Sequence, residues 1–228
     1  MREVILLPAY NEEKNISNVL EEVKKFFPKS KIVVVDDGSK DKTSDIAKKY
    51  TKYVVVHKKN KGKAEALKTG IKFILKKFPN TKYILITDSD GQYSIKDGKR
   101  LLKKIEKEKL DFVMGARNWK TVPFRHRLGN FVWRTTFNLL FGTKFKDTNC
   151  GYMAMNLKTA RELIPRIYGG YILENSILIY IVKNNKKIKQ VPVRVFYKKV
   201  SGIKRGIRMV LGVLIFIIKE GLKYRFGK

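Results

Sequence analysis

Carboxylate side chains gather just after three apolar runs of this sequence. Asp36 and Asp37 end the run KIVVVDD, Asp88 and Asp90 follow YILIT, and Glu12 follows the first apolar run. Neighbouring carboxylates repel one another, so such a group needs a cation or several hydrogen-bond donors. Because Asp88 and Asp90 lie two residues apart, a turn would let both side chains converge on one divalent ion.

The segment DSDGQ predicts Mg²⁺ or Mn²⁺ at this turn. Asp90 and Gln92 are candidate ligands beside Asp88, with water and ligand phosphates in the remaining positions, as these ions prefer. The competing interpretation is structural, since aspartates are common in turns, and Glu12 and Asp36 also suit helix caps and turns. The position directly after a buried strand favours the metal site.

Other kinds of site lack the residues that they require. No G-x-G-x-x-G follows the first predicted strand, and neither G-x-x-x-x-G-K-[ST] nor G-x-S-x-G occurs. Cys150 is the single cysteine, which excludes a disulfide framework and a multi-cysteine zinc site. Two histidines leave little material for a histidine-rich metal centre. The chain begins MREVILLPAYNEE, which is typical of a first strand rather than an export signal, so we expect a reducing, cytoplasmic setting.

The first half of the chain supplies the strands that position these carboxylates. Short apolar and β-branched runs alternate there with segments whose apolar residues recur at helical spacing. Strands are predicted at 4–7, 31–36, 53–57, 83–87 and 111–115, and helices at 12–27, 41–50, 62–77 and 95–107. Strands with consecutive apolar residues indicate a mostly parallel sheet covered by helices, a Rossmann-like α/β fold. Ligands of such sheets bind at the carboxyl ends of the strands.

After about residue 116 the regular alternation stops. Residues 123–142 mix aromatic residues with arginines and predict one or two helices. This mixture suits a membrane interface, single-stranded nucleic acid, or a core helix with arginines at its solvent edge. A helix around 170–183 and a strand at 188–197 follow.

The C-terminal segment has the pattern of an amphipathic helix. Apolar residues recur at helical spacing from Ile203 to Leu222, with lysines and arginines near both ends. The longest uncharged apolar run, 209–218, has ten residues, whereas a membrane span needs roughly 20. The pattern predicts a helix lying in a membrane interface, and the alternative is a helix packed on the core or in a dimer.

Positive charge is concentrated in the second half. The 228 residues carry 51 Lys and Arg against 20 Asp and Glu, a net charge of +31. Residues 1–111 hold 27 basic and 16 acidic residues, and residues 112–228 hold 24 and 4. A hydrophobic content of 43% excludes a disordered basic tail. The surface would attract nucleic acid, anionic lipid or a phosphorylated substrate, and charge alone does not choose among them.

Six ordered segments together resemble family-2 glycosyltransferases of GT-A fold. They are PAYNE at 8–12, VVDDGSKDKT at 34–43, NKGKAEALKTG at 60–70, DSDGQ at 88–92, GAR at 115–117 and DTNCGYM at 147–153. The resemblance is strongest to the dolichyl-phosphate mannose or glucose synthases and polyprenyl-phosphate glycosyltransferases. VPVRVFYKKVSG at 191–202 resembles the last catalytic strand and loop of that branch. The resemblance covers nearly the whole chain and does not identify the sugar.

The resemblance implies a nucleotide-sugar site at the strand ends. The matching donor-binding positions are Pro8, Tyr10, Glu12, Val35, Asp37, Thr87, Asp88, Ser89, Asp90 and Gln92. It implies that Asp88, Asp90 and Gln92 hold Mg²⁺ or Mn²⁺, which would neutralise the departing nucleoside diphosphate. Arg117 follows the fifth strand, within reach of a phosphate, so Asp88, Asp90 and Arg117 are the candidate catalytic residues.

The acceptor is inferred from the scarcity of bases in the second half. A sugar hydroxyl needs a base to remove its proton, whereas a phosphate monoester is ionised at neutral pH and needs only positioning. The candidate cations for an acceptor phosphate are Arg117, Arg127, Arg194 and Lys204. The loop KKVSGIKRG departs from the usual pattern of the family, so the roles of Lys199, Ser201 and Lys204 stay open.

These features predict an inverting, metal-dependent transferase that moves mannose or glucose from a GDP- or UDP-sugar to dolichyl or polyprenyl phosphate. We expect residues 1–200 to form the catalytic domain, with a nucleotide-sugar half at 1–116 and an acceptor half at 117–200. Residues 201–228 would form the membrane-associating helix of a peripheral or monotopic protein at the cytoplasmic membrane face.

Two alternatives remain at this point. One keeps the fold but transfers the sugar to a carbohydrate hydroxyl, with Glu174 or Asp147 as the base. The other is a non-catalytic nucleic-acid-binding protein, explained by the net charge alone. Carboxylates at successive strand ends have no use in such a protein, so we expect no nucleic-acid partner.

Overall fold

A seven-stranded sheet forms the centre of the protein. The computed structural model describes residues 2–119, 122, 124–197 and 204–227. The strands within this part are β1 (Glu3–Ala9), β2 (Lys31–Asp36), β3 (Val54–Val56), β4 (Tyr83–Ile86), β5 (Phe112–Arg117), β6 (Met153–Asn156) and β7 (Ile188–Val193). Their order across the sheet is β3-β2-β1-β4-β6-β5-β7. Only β6 runs antiparallel to its neighbours among these strands, so the predicted mostly parallel α/β fold is confirmed.

Helices cover the sheet. They are α1 (Ile16–Phe26), α2 (Thr43–Tyr50), α3 (Lys63–Lys77), α4 (Gly98–Lys107), α5 (Phe124–Phe141), α6 (Leu157–Leu163), α7 (Leu173–Lys183) and α8 (Lys204–Phe226). The predicted helices 95–107 and 170–183 each begin with a short 3₁₀ turn, at Ile95–Asp97 and Gly170–Ile172. The segment predicted as one or two helices at 123–142 contains the single helix α5.

The register of the three central parallel strands brings their carboxyl ends to one edge. Pro8 of β1 lies beside Val35 of β2, and Leu6 of β1 lies beside Ile86 of β4. β1 and β2 end together, since Ala9 lies beside Asp36, whereas β4 ends beside Leu6, three residues earlier. The residues after β4 continue along β1, because the Thr87 amide donates to the Leu6 carbonyl and Ser89 Oγ donates to the Pro8 carbonyl. This alignment places the three predicted carboxylate segments around one region.

The antiparallel strand β6 and the helix α6 are absent from the sequence-based prediction. The β6 segment is Met-Ala-Met-Asn, four residues without a β-branched side chain, so it lacks the usual signal of a strand. Its pairing with both β4 and β5 buries Met153 and Met155. Tertiary burial therefore creates a strand that local propensity does not indicate.

Both halves of the chain contribute to the same sheet. The boundary expected at residue 116 lies inside β5, and the second half supplies β6 and β7. β7 ends at Val193 rather than at 197, and Val195 then forms an isolated bridge with Tyr93. Pro192 is tolerated because β7 is an edge strand.

The C-terminal helix packs along α5 in the same direction. A Cβ added at Gly129 of α5 would lie 3.2 Å from a methyl of Val210, and Trp133 Nε1 donates to the Val210 carbonyl over 2.9 Å. Further along, the Arg225 guanidinium donates to the Leu139 carbonyl over 2.6 Å. One face of α8 is thus packed on the rest of the protein, in agreement with the alternative prediction of a helix packed on the core.

The opposite face of α8 is apolar and exposed. Leu211, Ile215, Ile218 and Leu222 recur at helical spacing, and Ile215 is 64% exposed. Val213 and Ile217, which face α5 and the core, are fully buried. In the part of the chain that the structure describes, no helix combines the length and the hydrophobicity that a membrane crossing requires.

Two glycines of α8 allow a direct test of this packing. A Cβ at Gly221 would lie 2.6 Å from Leu140 Cβ, whereas one at Gly212 would meet nothing within 4 Å. We expect Gly221→Ala to lower the free energy of unfolding by about 1–3 kcal/mol through overpacking. Gly212→Ala should raise it by up to about 1 kcal/mol, because alanine favours the helix. Urea unfolding followed by circular dichroism measures both, and equal effects would contradict the packing.

Candidate active site

A cavity of about 350 Å³ opens at the carboxyl ends of β1, β2 and β4. Seven of the predicted donor-binding residues line it: Pro8, Tyr10, Glu12, Asp37, Asp88, Ser89 and Asp90. The other lining residues are Ala9, Asn60, Gly62, Lys63 and Ala66. Four carboxylates and one ammonium group therefore surround the cavity, so an acidic cavity lies in a strongly basic protein.

The structure does not bring Val35, Thr87 or Gln92 to the cavity wall. The Val35 side chain is fully buried and points at Gly70 of α3, so it packs in the core. Thr87 is also fully buried, and its amide donates to the Leu6 carbonyl. The main chain of Gln92 closes the turn, since its amide donates to Asp90 over 2.9 Å.

Glu12 combines a structural role with its place in the cavity wall. Its carbonyl accepts from the amides of Asn15 and Ile16 at 2.9 Å, which forms the turn before α1. Its carboxylate accepts from Asn15 Nδ2 over 2.6 Å, and its amide donates to Thr43 Oγ1. The expected turn-forming role is therefore present, and it fixes Glu12 beside the cavity.

Asp36 and Asp37 have different roles although they are adjacent. Asp36 accepts from the Ser39 amide and shapes the turn after β2. Asp37 accepts from the amides of Lys61 and Gly62 over 2.9 and 2.7 Å. Gly62 has a φ of 89°, which favours glycine and lets its amide face the carboxylate.

His57 adds a third contact to Asp37 that the sequence analysis did not predict. Its Nδ1 lies 2.6 Å from Asp37 Oδ1, and its Nε2 lies 2.9 Å from Thr69 Oγ1. The imidazole joins the end of β2 to α3. Asp37 therefore holds the loop 57–62 in place at one side of the cavity.

The turn after β4 presents Asp88 and Asp90 to the same cavity. Ser89 Oγ donates to the Pro8 carbonyl over 2.9 Å, which ties the turn to β1. The Asp88 carboxylate lies 2.6 Å from the Lys63 ammonium, which also lies 3.3 Å from Glu174. A cation thus already bridges two carboxylates of this site.

Lys63 is a site residue that the sequence analysis missed. It is the first residue of α3, where the helix dipole makes a cation unfavourable unless anions compensate for it. Burial alone would lower the pKa of Lys63, but the charges of Asp88 and then Glu174 outweigh it and raise the pKa. A lysine at a helix start was the signal that could have revealed it.

Because Gly151 has no side chain, the backbone of its segment can lie close to the Asp88–Lys63 ion pair. A Cβ at this position would lie 2.8 Å from Asp88 Oδ2 and 2.9 Å from Lys63 Nζ. The Gly151 amide donates to the Tyr93 hydroxyl over 3.0 Å. The segment 147–153 thus packs directly against the turn after β4, and a side chain would disturb that contact.

The structure places Arg117 in a buried ion pair rather than at the cavity. Its Nε and Nη2 donate to the two oxygens of Asp147 over 2.7 and 2.9 Å, and Nη2 also donates to Asn130. Asp147 is fully buried. The guanidinium therefore anchors the segment after residue 146, and the phosphate contact of Arg117 stays a prediction.

The other predicted acceptor cations lie apart from the cavity or outside the described residues. Arg127 donates to the Val122 carbonyl over 2.7 Å. Arg194 is largely exposed and pairs with Asp97 at 3.4 Å. Lys199 and Ser201, and the side chain of Lys204, lie outside the described part of the chain.

The oxygen donors of the turn fit a hard divalent ion. Asp88 and Asp90 provide two carboxylates, the ligands that Mg²⁺ and Mn²⁺ prefer. Within the described ranges, no group of three or more Asp, Glu, His or Cys residues is arranged for a metal. A bound ion would therefore complete its coordination with water and with phosphate oxygens of a ligand.

Comparison with solved structures supports the fold. Glucosyl-3-phosphoglycerate synthase from Mycobacterium tuberculosis, solved with Mn²⁺, uridine diphosphate and glucosyl-3-phosphoglycerate, superposes with a TM-score of 0.77. The two sequences are 19% identical, and the match covers 96% of this chain and 79% of that one. The predicted GT-A architecture is confirmed.

Comparison of sequences identifies the family. A dolichyl-phosphate beta-glucosyltransferase of Dictyostelium discoideum is 30% identical over 88% of this chain and 67% of its own length. A UDP-N-acetylglucosamine–dolichyl-phosphate N-acetylglucosaminyltransferase of Methanococcus voltae is 29% identical over 93% and 92%. The model of glycosyl transferase family 2 matches residues 4–163. The chain therefore belongs to glycosyl transferase family 2 and is a glycosyltransferase.

Proposed function

We propose that this enzyme transfers a hexose from a nucleotide diphosphate sugar to dolichyl or polyprenyl phosphate, with inversion at the anomeric carbon. GDP-mannose and UDP-glucose are the proposed donors, and the reaction would take place at the cytoplasmic face of a membrane. The names of the Dictyostelium and Methanococcus relatives support a dolichyl-phosphate acceptor. The Methanococcus relative is named for N-acetylglucosamine, so UDP-N-acetylglucosamine joins the donors to be tested.

The ion pairs of the second half are the main support for a phosphate acceptor. All four carboxylates after residue 111 are engaged in ion pairs in the described structure. The pairs are Asp147 with Arg117, Glu162 with Lys186, Glu174 with Lys63 and Glu220 with Lys183. The second half thus offers only carboxylates whose charge a cation already stabilises.

A paired carboxylate is a poor general base. For Glu162, hydrogen bonds from Lys186 and then Tyr180 lower the pKa of the carboxyl. The two carboxylates considered as bases for a hydroxyl acceptor, Glu174 and Asp147, are both paired, and Asp147 is fully buried. A phosphate monoester, whose second pKa is about 6, carries its own nucleophilic oxygen at neutral pH. It therefore suits this site better than a hydroxyl does.

The acidic cavity supports a metal-dependent reaction with the donor. A nucleoside diphosphate is itself an anion, so four carboxylates would repel it without an intervening cation. A divalent ion held by Asp88 and Asp90 would supply that charge and stabilise the diphosphate as it leaves. Glu12 and Asp37, at the other side of the cavity, offer oxygens that can accept from the ribose and the base.

The α5–α8 pair supports a membrane-bound acceptor. α5 exposes Leu128, Phe131 and Leu139, and α8 exposes its own apolar face. The second half of the chain, which contains both helices, carries 24 basic and 4 acidic residues. Exposed apolar side chains among cations suit an interface with anionic lipid. We therefore propose that this surface docks on the membrane that contains the lipid phosphate.

Transfer into a lipid product tests the proposed reaction. We expect radiolabel from GDP-mannose, UDP-glucose or UDP-N-acetylglucosamine to enter the organic phase when the enzyme is incubated with dolichyl phosphate and Mn²⁺. Asp90→Asn keeps the shape but removes a charge of the proposed metal site, and should lower transfer by about 100-fold or more. The matched control is Asp45→Asn, which removes an exposed carboxylate of α2. Labelling of a free sugar acceptor, with no lipid-extractable label from any donor, would refute the proposal.

Membrane docking is tested by sedimentation with vesicles that contain anionic lipid. Ile215→Ser removes an exposed apolar side chain of α8 and should weaken binding by about fivefold, the effect of losing roughly 1 kcal/mol of apolar burial. Val56→Ser, which removes a half-exposed apolar side chain of β3, is the control and should bind as the wild type does. Equal binding by all three proteins would contradict the proposed surface.

A further inference from the structure

The ammonium group of Lys63 lies on a carboxylate of the proposed metal site. It contacts Asp88 at 2.6 Å and Glu174 at 3.3 Å. The Lys63 side chain is 33% exposed, and those of Asp88 and Glu174 are 23% and 14% exposed. The contacts are therefore partly shielded from water, which makes them stronger than surface ion pairs.

The surroundings of Lys63 hold its ammonium at this position. The two carboxylates come from the turn after β4 and the first turn of α7, two separate parts of the chain. Gly151 packs behind the Asp88–Lys63 contact, with space too small for a Cβ. The positive end of the α3 dipole opposes a cation here, so the carboxylates must compensate for it.

A divalent ion and this ammonium compete for the same carboxylate. An ion bound to Asp88 would repel an ammonium 2.6 Å from that carboxylate, so Lys63 has to give up the contact. Glu174 is a second anion within its reach. A donor diphosphate, bound with the ion, would bring further negative charge to the same region.

We infer that Lys63 is a tethered counter-ion: it neutralises Asp88 in the metal-free enzyme and is displaced when a metal ion and a nucleoside diphosphate bind together. This inference rests on the proposed metal-dependent function. It makes Lys63 a positioning residue that couples two binding events. Metal alone would leave the ammonium with its Glu174 contact, whereas metal with nucleotide adds a phosphate as a second anionic partner while the Glu174 contact is kept.

Measurement of Mn²⁺ binding tests the inference without activity. Free Mn²⁺ is counted by electron paramagnetic resonance, with and without UDP or GDP, for the wild type and for Lys63→Met. We expect Lys63→Met to bind Mn²⁺ without nucleotide about tenfold more tightly than the wild type, because a competing charge is gone. The wild type should reach the Mn²⁺ affinity of Lys63→Met only when UDP or GDP is present. Lys58→Met removes an exposed lysine of the loop 57–62, just before α3, and should bind Mn²⁺ as the wild type does.

Two further variants separate charge from shape. Lys63→Gln repeats the neutralisation with a polar side chain and serves if the methionine variant does not fold, as judged by circular dichroism. Lys63→Arg keeps the charge, so its Mn²⁺ affinity without nucleotide should stay as low as that of the wild type. Tight metal binding by the arginine variant would overturn the counter-ion role.

The outcomes distinguish this inference from the proposed function. If the wild type binds Mn²⁺ with nucleotide but the neutral variants bind the metal alone no more tightly, the counter-ion role is wrong and the metal site stands. If the wild type binds no Mn²⁺ with either nucleotide, both the metal-dependent function and this inference are wrong.

Discussion

Repulsion between carboxylates at one edge of the sheet is the constraint on which the site depends. Parallel strands β1, β2 and β4 direct their carboxyl ends to the same edge, so the acidic residues that follow them converge on one cavity. Two of these carboxylates, Asp37 and Asp88, are stabilised in different ways. Amides of the loop 57–62 and the His57 ring hold Asp37, and the Lys63 ammonium holds Asp88. The loops that form the cavity are positioned by the same bonds that neutralise its charge.

Because of this constraint, the cavity is acidic although the protein as a whole is strongly basic. The net charge is +31, yet the cavity is lined by four carboxylates and one lysine. A uniformly basic pocket would bind the diphosphate tightly both in the donor substrate and in the departing nucleoside diphosphate. An acidic pocket that uses an exchangeable cation can instead stabilise charge as it develops on the leaving group. We propose that the cationic excess outside the cavity serves binding to an anionic membrane and its lipid phosphate.

Most strands and helices of the first half could be predicted from the sequence, because the signals for them are local. Strands such as β1 and β2 are continuous apolar runs, and turn residues with carboxylates follow them directly. The sequence did not predict β6, whose four residues become a strand only through pairing with β4 and β5. The ion pair of Arg117 was not predicted, because its partner Asp147 lies 30 residues away and spacing does not reveal such a pair. Val35 matched a donor-binding segment, and because β2 is buried on both faces its sequence pattern does not show which of its residues reach a ligand.

The proposed acceptor nucleophile is an oxygen that is already ionised at neutral pH. This proposal follows from the ion pairs of Asp147, Glu162, Glu174 and Glu220, which leave the second half without an unpaired carboxylate among the described residues. The most direct measurement compares dolichol with dolichyl phosphate as acceptors, at matched concentration and with the same labelled donor. We expect glycosylated lipid from dolichyl phosphate and none from dolichol. Comparable transfer to dolichol would show that the enzyme activates a hydroxyl, and the proposed ionised nucleophile would then be wrong.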